Sequence, residues 1–221
     1  MTAAADGFVA RLRKVDCCAV SDALDSLKLP GVVSNLPQCS GAGRIAGSVI
    51  TVKLGTGGAQ SGPPRHLCTS AIETGGPDNV IVVEQRTGIE AGSWGGLLSV
   101  GAKARGIAGV IVDGPTRDID QSIEMQFPVF ARSLTAKTAR GRIVEQATNV
   151  PVDIGEVRVS PGDYVVADRS AVIFIAAENI GRVLDAAERI VAREDEMAKH
   201  ILAGQPIGSV MGGNYENMLK R

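Results

Sequence analysis

The chain has 221 residues, 44% of them hydrophobic and 21% charged, with 23 basic against 24 acidic side chains. That length supports one substantial core, so a single domain over residues 1–221 is expected, and the near-neutral charge with 3% aromatic residues excludes nucleic acid as a general partner. The chain holds no run of about 18 apolar residues, and residues 1–7 lack the basic start and apolar core of a secretory signal, so no membrane association is expected and the protein is placed in the cytoplasm.

In chain order, a helix is expected over 8–14 and a second over 20–26, its start capped by Ser21 or Asp22. Pro30, Gly31 and Pro37 then break the chain before a strand over 44–54. The glycine-bearing stretch 55–64 reads as a lid or a turn over a site. A short helix over 67–73, a strand over 79–84, a helix over 97–105 and a strand over 110–113 follow, a rhythm that calls for a parallel component in the sheet. Strands over 129–132, 155–159 and 164–167 alternate in a manner suited to antiparallel pairing. The segment 180–202 carries Val183, Leu184, Ala187, Ile190, Val191, Ala198 and Ile201 at helical spacing and reads as an amphipathic helix. With the unpatterned tail after Gly204, this helix is expected to pack at a subunit interface. Cys17, Cys18, Cys39 and Cys68 show no metal-type spacing and read as reduced, with Cys68 a small buried residue before it is a catalytic thiol.

Chemistry concentrates in Gly95–Asp118. Gly92, Gly95 and Gly96 precede a helix, so backbone N–H groups and the positive end of the helix dipole are offered to a carboxylate or phosphate, with Gly95, Gly96, Leu97 and Leu98 as the candidate anion turn. Val110-Ile111-Val112 is β-branched and apolar, as in a strand buried on both faces, and it delivers Arg117 and Asp118 just past its carboxyl end, where open α/β sheets place their ligands. Arg117 suits a bidentate grip on a carboxylate, and Asp118 is a hard oxygen ligand for a cation such as Mg²⁺; the bland alternative is a solvated ion pair. His66, one of two histidines, is a candidate proton donor or acceptor against the alternative of local packing.

Four segments together resemble the regulator of ribonuclease activity A-like proteins, which include the 4-hydroxy-4-methyl-2-oxoglutarate/4-carboxy-4-hydroxy-2-oxoadipate aldolases. They are Ser21-Asp22-Ala23-Leu24, Gly43-Arg44-Ile45-Ala46-Gly47, the central block, and Ser160 to Asp168. The resemblance implies a three-layer α/β/α sandwich with a mixed, swivelling-domain-like sheet, assembled as a homotrimer or a hexamer with sites where subunits meet. It implies a lyase of the aldolase or decarboxylase type, in which Mg²⁺ or Mn²⁺ and an arginine hold a small 2-oxo acid and stabilise its enolate. On that mapping Arg117 binds the carboxylate, Asp118 the metal, and Glu194 reaches a neighbouring subunit's metal through water. The family pattern departs at Gly96, where an acidic residue is expected. Glu90 and His66 are the nearby substitutes, and Arg65 and Arg86 could widen the anion site. Two alternatives stand beside the lyase: a divergent enzyme using His66 and Glu90 for hydration, isomerisation or hydrolysis of a small carboxylate, and a non-catalytic protein-binding regulator.

Overall fold

In a computed structural model, residues 3–58 and 65–212 are described. The elements are α1 (Ala3–Leu12), α2 (Cys17–Leu27), β1 (Val32–Val33), β2 (Gln38–Ser40), β3 (Ile45–Gly55), α3 (Thr69–Thr74), β4 (Asn79–Glu84), α4 (Gly96–Ala104), β5 (Gly109–Thr116), α5 (Ile119–Glu124) and β6 (Val129–Leu134). There follow β7 (Val144–Thr148), β8 (Val152–Ile154), β9 (Val157–Val159), β10 (Tyr164–Ala167), β11 (Val172–Ile175), a 3₁₀ turn at Ala177–Asn179, α6 (Ile180–Leu202) and α7 (Ile207–Val210).

The main sheet runs β1-β11-β10-β3-β4-β5-β6-β2, with β7 on the far end of β3, while β8 and β9 form a separate hairpin. Only β3 to β6 pair in parallel; every other pair is antiparallel. These four strands are adjacent in chain order, and each crossover between them is a helix. A right-handed crossover stepping always in the same direction lays its helix on the same face each time, so α3, α4 and α5 stack together. Ala46 and Ile50 share the parity of β3 that faces the helices: Ala46 packs with α1, α2 and α6, and Ile50 with α3 and α4. All major helices therefore cover one face.

The opposite face carries Val49, Val80, Val82, Ile111, Val165 and Phe174. It is covered by the β8–β9 hairpin through Val152, Ile154 and Val159. The α/β class and the mixed sheet are as expected. The layer order is helix, sheet, hairpin, so a hairpin stands where the α/β/α order has its second helical layer. The reason is topological: a parallel set without reversal of strand order sends no helix to the other side.

β4 is buried at all six positions, and the apolar run of β5 is wholly enclosed, as its β-branched residues require. α2 starts earlier than expected, because Asp16, not Ser21 or Asp22, accepts from the Ala19 N–H at 2.8 Å. Reading the sequence left β1, β2, α5, β7, β8, β11 and α7 unassigned, α5 and β7 for want of buried apolar positions. α5 buries only Ser122, and β7 buries none. In α6 the buried residues end at Ile190, so residues 180–190 pack on their own chain; Ala198 is exposed, and Leu202 is 87% exposed. Part of the expected lid, residues 59–64, and the tail from 213 onward lie outside the described residues. No helix among the described residues is long and apolar enough to cross a membrane.

Ile111 is fully buried between β4 and β6 against the hairpin layer. Ile111→Ala is expected to lower unfolding stability by about 2–5 kcal/mol with an unchanged denaturant slope in urea titration; a loss below about 1 kcal/mol would contradict the packing described.

Candidate active site

The carboxyl ends of β3, β4, β5 and β6 lie side by side, and the segments that follow them build one cavity of about 760 Å³. Arg65, His66 and Leu67 come from the segment after β3, Gly92 to Leu98 from that after β4, Arg117 and Asp118 from that after β5, and Thr138 to Glu145 from that after β6. A smaller cavity of about 450 Å³ borders the same Arg117 and Asp118 on the side of Leu134 and Thr135. The Arg-Asp pair thus stands between two openings.

Its conformation is locally determined. Arg117 donates its backbone N–H to the Trp94 carbonyl at 3.0 Å, tying the β5 loop to the glycine turn. Asp118 has φ of 55°, in the left-handed region that Asp tolerates better than most residues. Its carboxylate accepts from Arg117 Nε at 3.2 Å and from the Gly96 N–H at 3.2 Å. The helix N-terminus read as an anion site is therefore occupied in part by the chain's own carboxylate. The first-turn amides of Leu97 and Leu98 have no intrahelical acceptor of their own. Arg117 spends only Nε on Asp118, and the terminal nitrogens keep the fork that carboxylates fit.

The three glycines are spacers. A Cβ at Gly92 would lie 2.7 Å from Arg117 Cγ, and one at Gly95 2.9 Å from Asp118 Oδ2. At Gly96 a Cβ would fall inside the Gln121 carboxamide. The place a side chain at 96 would take is filled from α5, by an amide. Below them, Trp94 stacks on Phe127 with centroids 6.3 Å apart and donates to Ser99 Oγ at 2.8 Å. Ser99 in turn bonds Ser122 Oγ at 3.0 Å, which clamps α4 to α5.

The other predicted residues divide. His66 lines the larger cavity; its Nδ1 lies 3.1 Å from the Leu67 carbonyl, which can only accept, so Nδ1 carries a hydrogen and Nε2 is the nitrogen left for proton exchange. Glu90 borders neither cavity. Lys137 at 2.5 Å and Thr135 at 3.0 Å hold its carboxylate, and the Lys137 hydrogen bond draws its pKa down. The structure does not bring His66 and Glu90 together, because the 135–137 segment captures the glutamate. Arg65 lines the cavity bound to Ser70 and Glu73, whereas Arg86 is turned to the Gly155 carbonyl. Cys68 is fully buried and its thiol is pushed well up by burial and the Glu145 charge, so it is an inert core residue.

Glu194 sits on α6, where burial and then the charges of Asp16, Asp22 and Asp195 push its pKa up. Within the chain it lies near Asp22 of α2 and Asp16 of its cap, and it does not line the cavity that holds Asp118. No group of three or more His, Cys, Asp or Glu side chains among the described residues could hold a metal ion. Asp118 fits as a single carboxylate ligand of the kind Mg²⁺ takes when waters and substrate oxygens complete its shell. Glu145, which the sequence reading missed, also lines the cavity, but its oxygens accept from the Cys68 N–H at 2.6 Å and Thr148 Oγ1 at 2.5 Å.

The raised Glu194 pKa has a stability consequence. In the window from its unfolded to its folded value the unfolded chain binds fewer protons, so this group lowers stability as pH rises through that window and stays unfavourable above it. Glu194→Gln is expected to raise the melting temperature near neutral pH, with a gain that shrinks as pH falls into the carboxylate range, in calorimetric scans from about pH 7.5 to about pH 4. A gain independent of pH would contradict this.

Comparison with known proteins identifies the family. The family profile described as "RraA-like: Aldolase/RraA" matches residues 17–174. A Halalkalibacterium halodurans protein named "Putative 4-hydroxy-4-methyl-2-oxoglutarate aldolase" is 29% identical over 205 residues, covering 91% of this chain and 91% of its own length. The uncharacterized protein MJ0644 of Methanocaldococcus jannaschii is 34% identical over 122 residues, 55% of this chain, and the match spans only 58% of that relative's length. The crystal structure of an uncharacterized protein from Pseudomonas syringae pv. tomato superposes with a TM-score of 0.83 at 25% identity, over 94% of this chain and 98% of that one. The chain belongs to the RraA-like, aldolase/RraA family.

Proposed function

We propose that the protein is a lyase of the aldolase or decarboxylase type that acts on a small 2-oxo carboxylic acid with the aid of Mg²⁺ or Mn²⁺. The observation that carries this reading is the Arg117 fork beside the Asp118 carboxylate at the mouth of the cavity formed by the β3–β6 carboxyl ends. The aldolase name of the Halalkalibacterium halodurans relative supports the same class. Arg117 would grip the substrate carboxylate bidentately, and the first-turn amides of α4 would complete the carboxylate site. Asp118 would hold the cation, which when bound draws electron density from the 2-oxo group. His66 Nε2 would carry the proton that the cleaved product needs, a task an amide such as Gln121 cannot perform. Leu97, Val100, Ile123 and Leu134 are exposed apolar side chains near the site. They support a homotrimer or hexamer in which a neighbouring copy covers them, and where Glu194 of one copy would approach the site of the next.

Pyruvate release from metal-stripped protein given oxaloacetate or 4-hydroxy-4-methyl-2-oxoglutarate is expected to return on adding Mg²⁺ or Mn²⁺ and to vanish in Asp118→Ala. Turnover that needs no added metal but is lost in His66→Ala would favour acid-base chemistry, and a correctly assembled protein without turnover would favour a binding role. Arg117→Lys is expected to weaken 2-oxo-acid binding by about tenfold or more in calorimetry, since an ammonium lacks the planar fork. Gly92→Ala is expected to act on the same affinity by displacing the Arg117 stem, again by about tenfold, with the melting temperature nearly unchanged; intact affinity would remove the spacer role.

A further inference from the structure

The larger cavity is lined by three arginines whose engagements differ. Arg65 is bound to Glu73 at 3.3 Å and Ser70 at 3.2 Å, and Arg117 to Asp118 at 3.2 Å. Arg140, exposed on the segment after β6, has no acidic partner among the described residues. The one further carboxylate in the lining, Glu145, already has both oxygens occupied by Cys68 and Thr148. A cavity of about 760 Å³ lies in the range that encloses a drug-sized ligand. It is far larger than a three-carbon acid held at Arg117 alone would need.

We propose that Arg140 is a specificity-determining residue, the anchor of a second anion subsite that takes a carboxylate at the far end of a substrate whose 2-oxo carboxylate is gripped by Arg117. The proposal rests on Arg117 as the carboxylate clamp, but not on the reaction that follows. A free guanidinium on a solvent-facing wall costs nothing to expose before binding and forms a charge-assisted, two-pronged contact once the ligand brings an acid to it. Because Arg140 comes from the segment after β6 and Arg117 from that after β5, the two subsites are set by separate loops. Ligand length, as well as charge, would then be selected.

The test is calorimetric binding of pyruvate and of 2-oxoglutarate, each with Mg²⁺, to the intact protein and to Arg140→Ala, Arg140→Lys and Arg65→Ala. The expected result is a preference for 2-oxoglutarate of about tenfold or more that disappears in Arg140→Ala, with pyruvate affinity unchanged. The preference should be partly kept in Arg140→Lys and kept in Arg65→Ala. A preference that survives Arg140→Ala, or an equal loss of both ligands, would overturn the subsite. Wild-type protein that binds pyruvate through Arg117 without preferring the diacid would overturn it alone. A diacid preference in protein that releases no pyruvate from oxaloacetate or 4-hydroxy-4-methyl-2-oxoglutarate would leave it standing and count only against the lyase reading.

Discussion

The arrangement of the site depends on the order in which four parallel strands are laid down. β3, β4, β5 and β6 follow one another across the sheet as they do along the chain, and right-handed crossovers then put α3, α4 and α5 on one face. The same order aligns their carboxyl ends in a row. Four consecutive segments, each short in reach, therefore meet over one cavity without any long insertion. The cost is an uncovered second face of the sheet, rich in Val and Ile, which the β8–β9 hairpin closes.

Within that frame, the Arg-Asp pair is placed by backbone constraints more than by its own attraction. An exposed ion pair is worth little by itself. What holds Arg117 and Asp118 is the bond from the Arg117 N–H to Trp94, the left-handed turn at Asp118, and three glycines whose missing side chains let the arginine stem and the carboxylate lie against the α4 loop. The Trp94-Ser99-Ser122 chain then joins the two helices that start from this turn. Gly96 has the clearest meaning of the three. Its absent side chain is replaced in space by Gln121, so a neutral amide stands where the resemblance led to the expectation of an acid. An amide cannot exchange a proton as a carboxylate does, and His66 lines the same cavity.

Charge bookkeeping around the cavity also separates residues that sequence proximity would group. Glu90 stands six positions before Gly96 yet is drawn to Lys137 and Thr135, while Glu145, nearly fifty residues after Gly96, lines the cavity. Arg86 serves the hairpin through Gly155, whereas Arg140, far along the chain, faces the site.

Much was legible from residues alone because the signals were local. The β-branched run of β5, the glycines before α4, the buried β4 and the helical spacing of α6 each report a short-range physical preference. From them followed the α/β class, the parallel component, and the position of Arg117 and Asp118 just past a strand end. Four segments of motif sufficed for the family. What only the tertiary structure decided depends on contacts between distant segments: the hairpin in place of a second helical layer, the cap at Asp16, the capture of Glu90 by Lys137, and the filling of the Gly96 gap by Gln121. The short elements α5 and β7 belong to this second group. With one buried residue or none, they carry no periodic apolar pattern, and they exist because the sheet and the loops around them hold their ends in place.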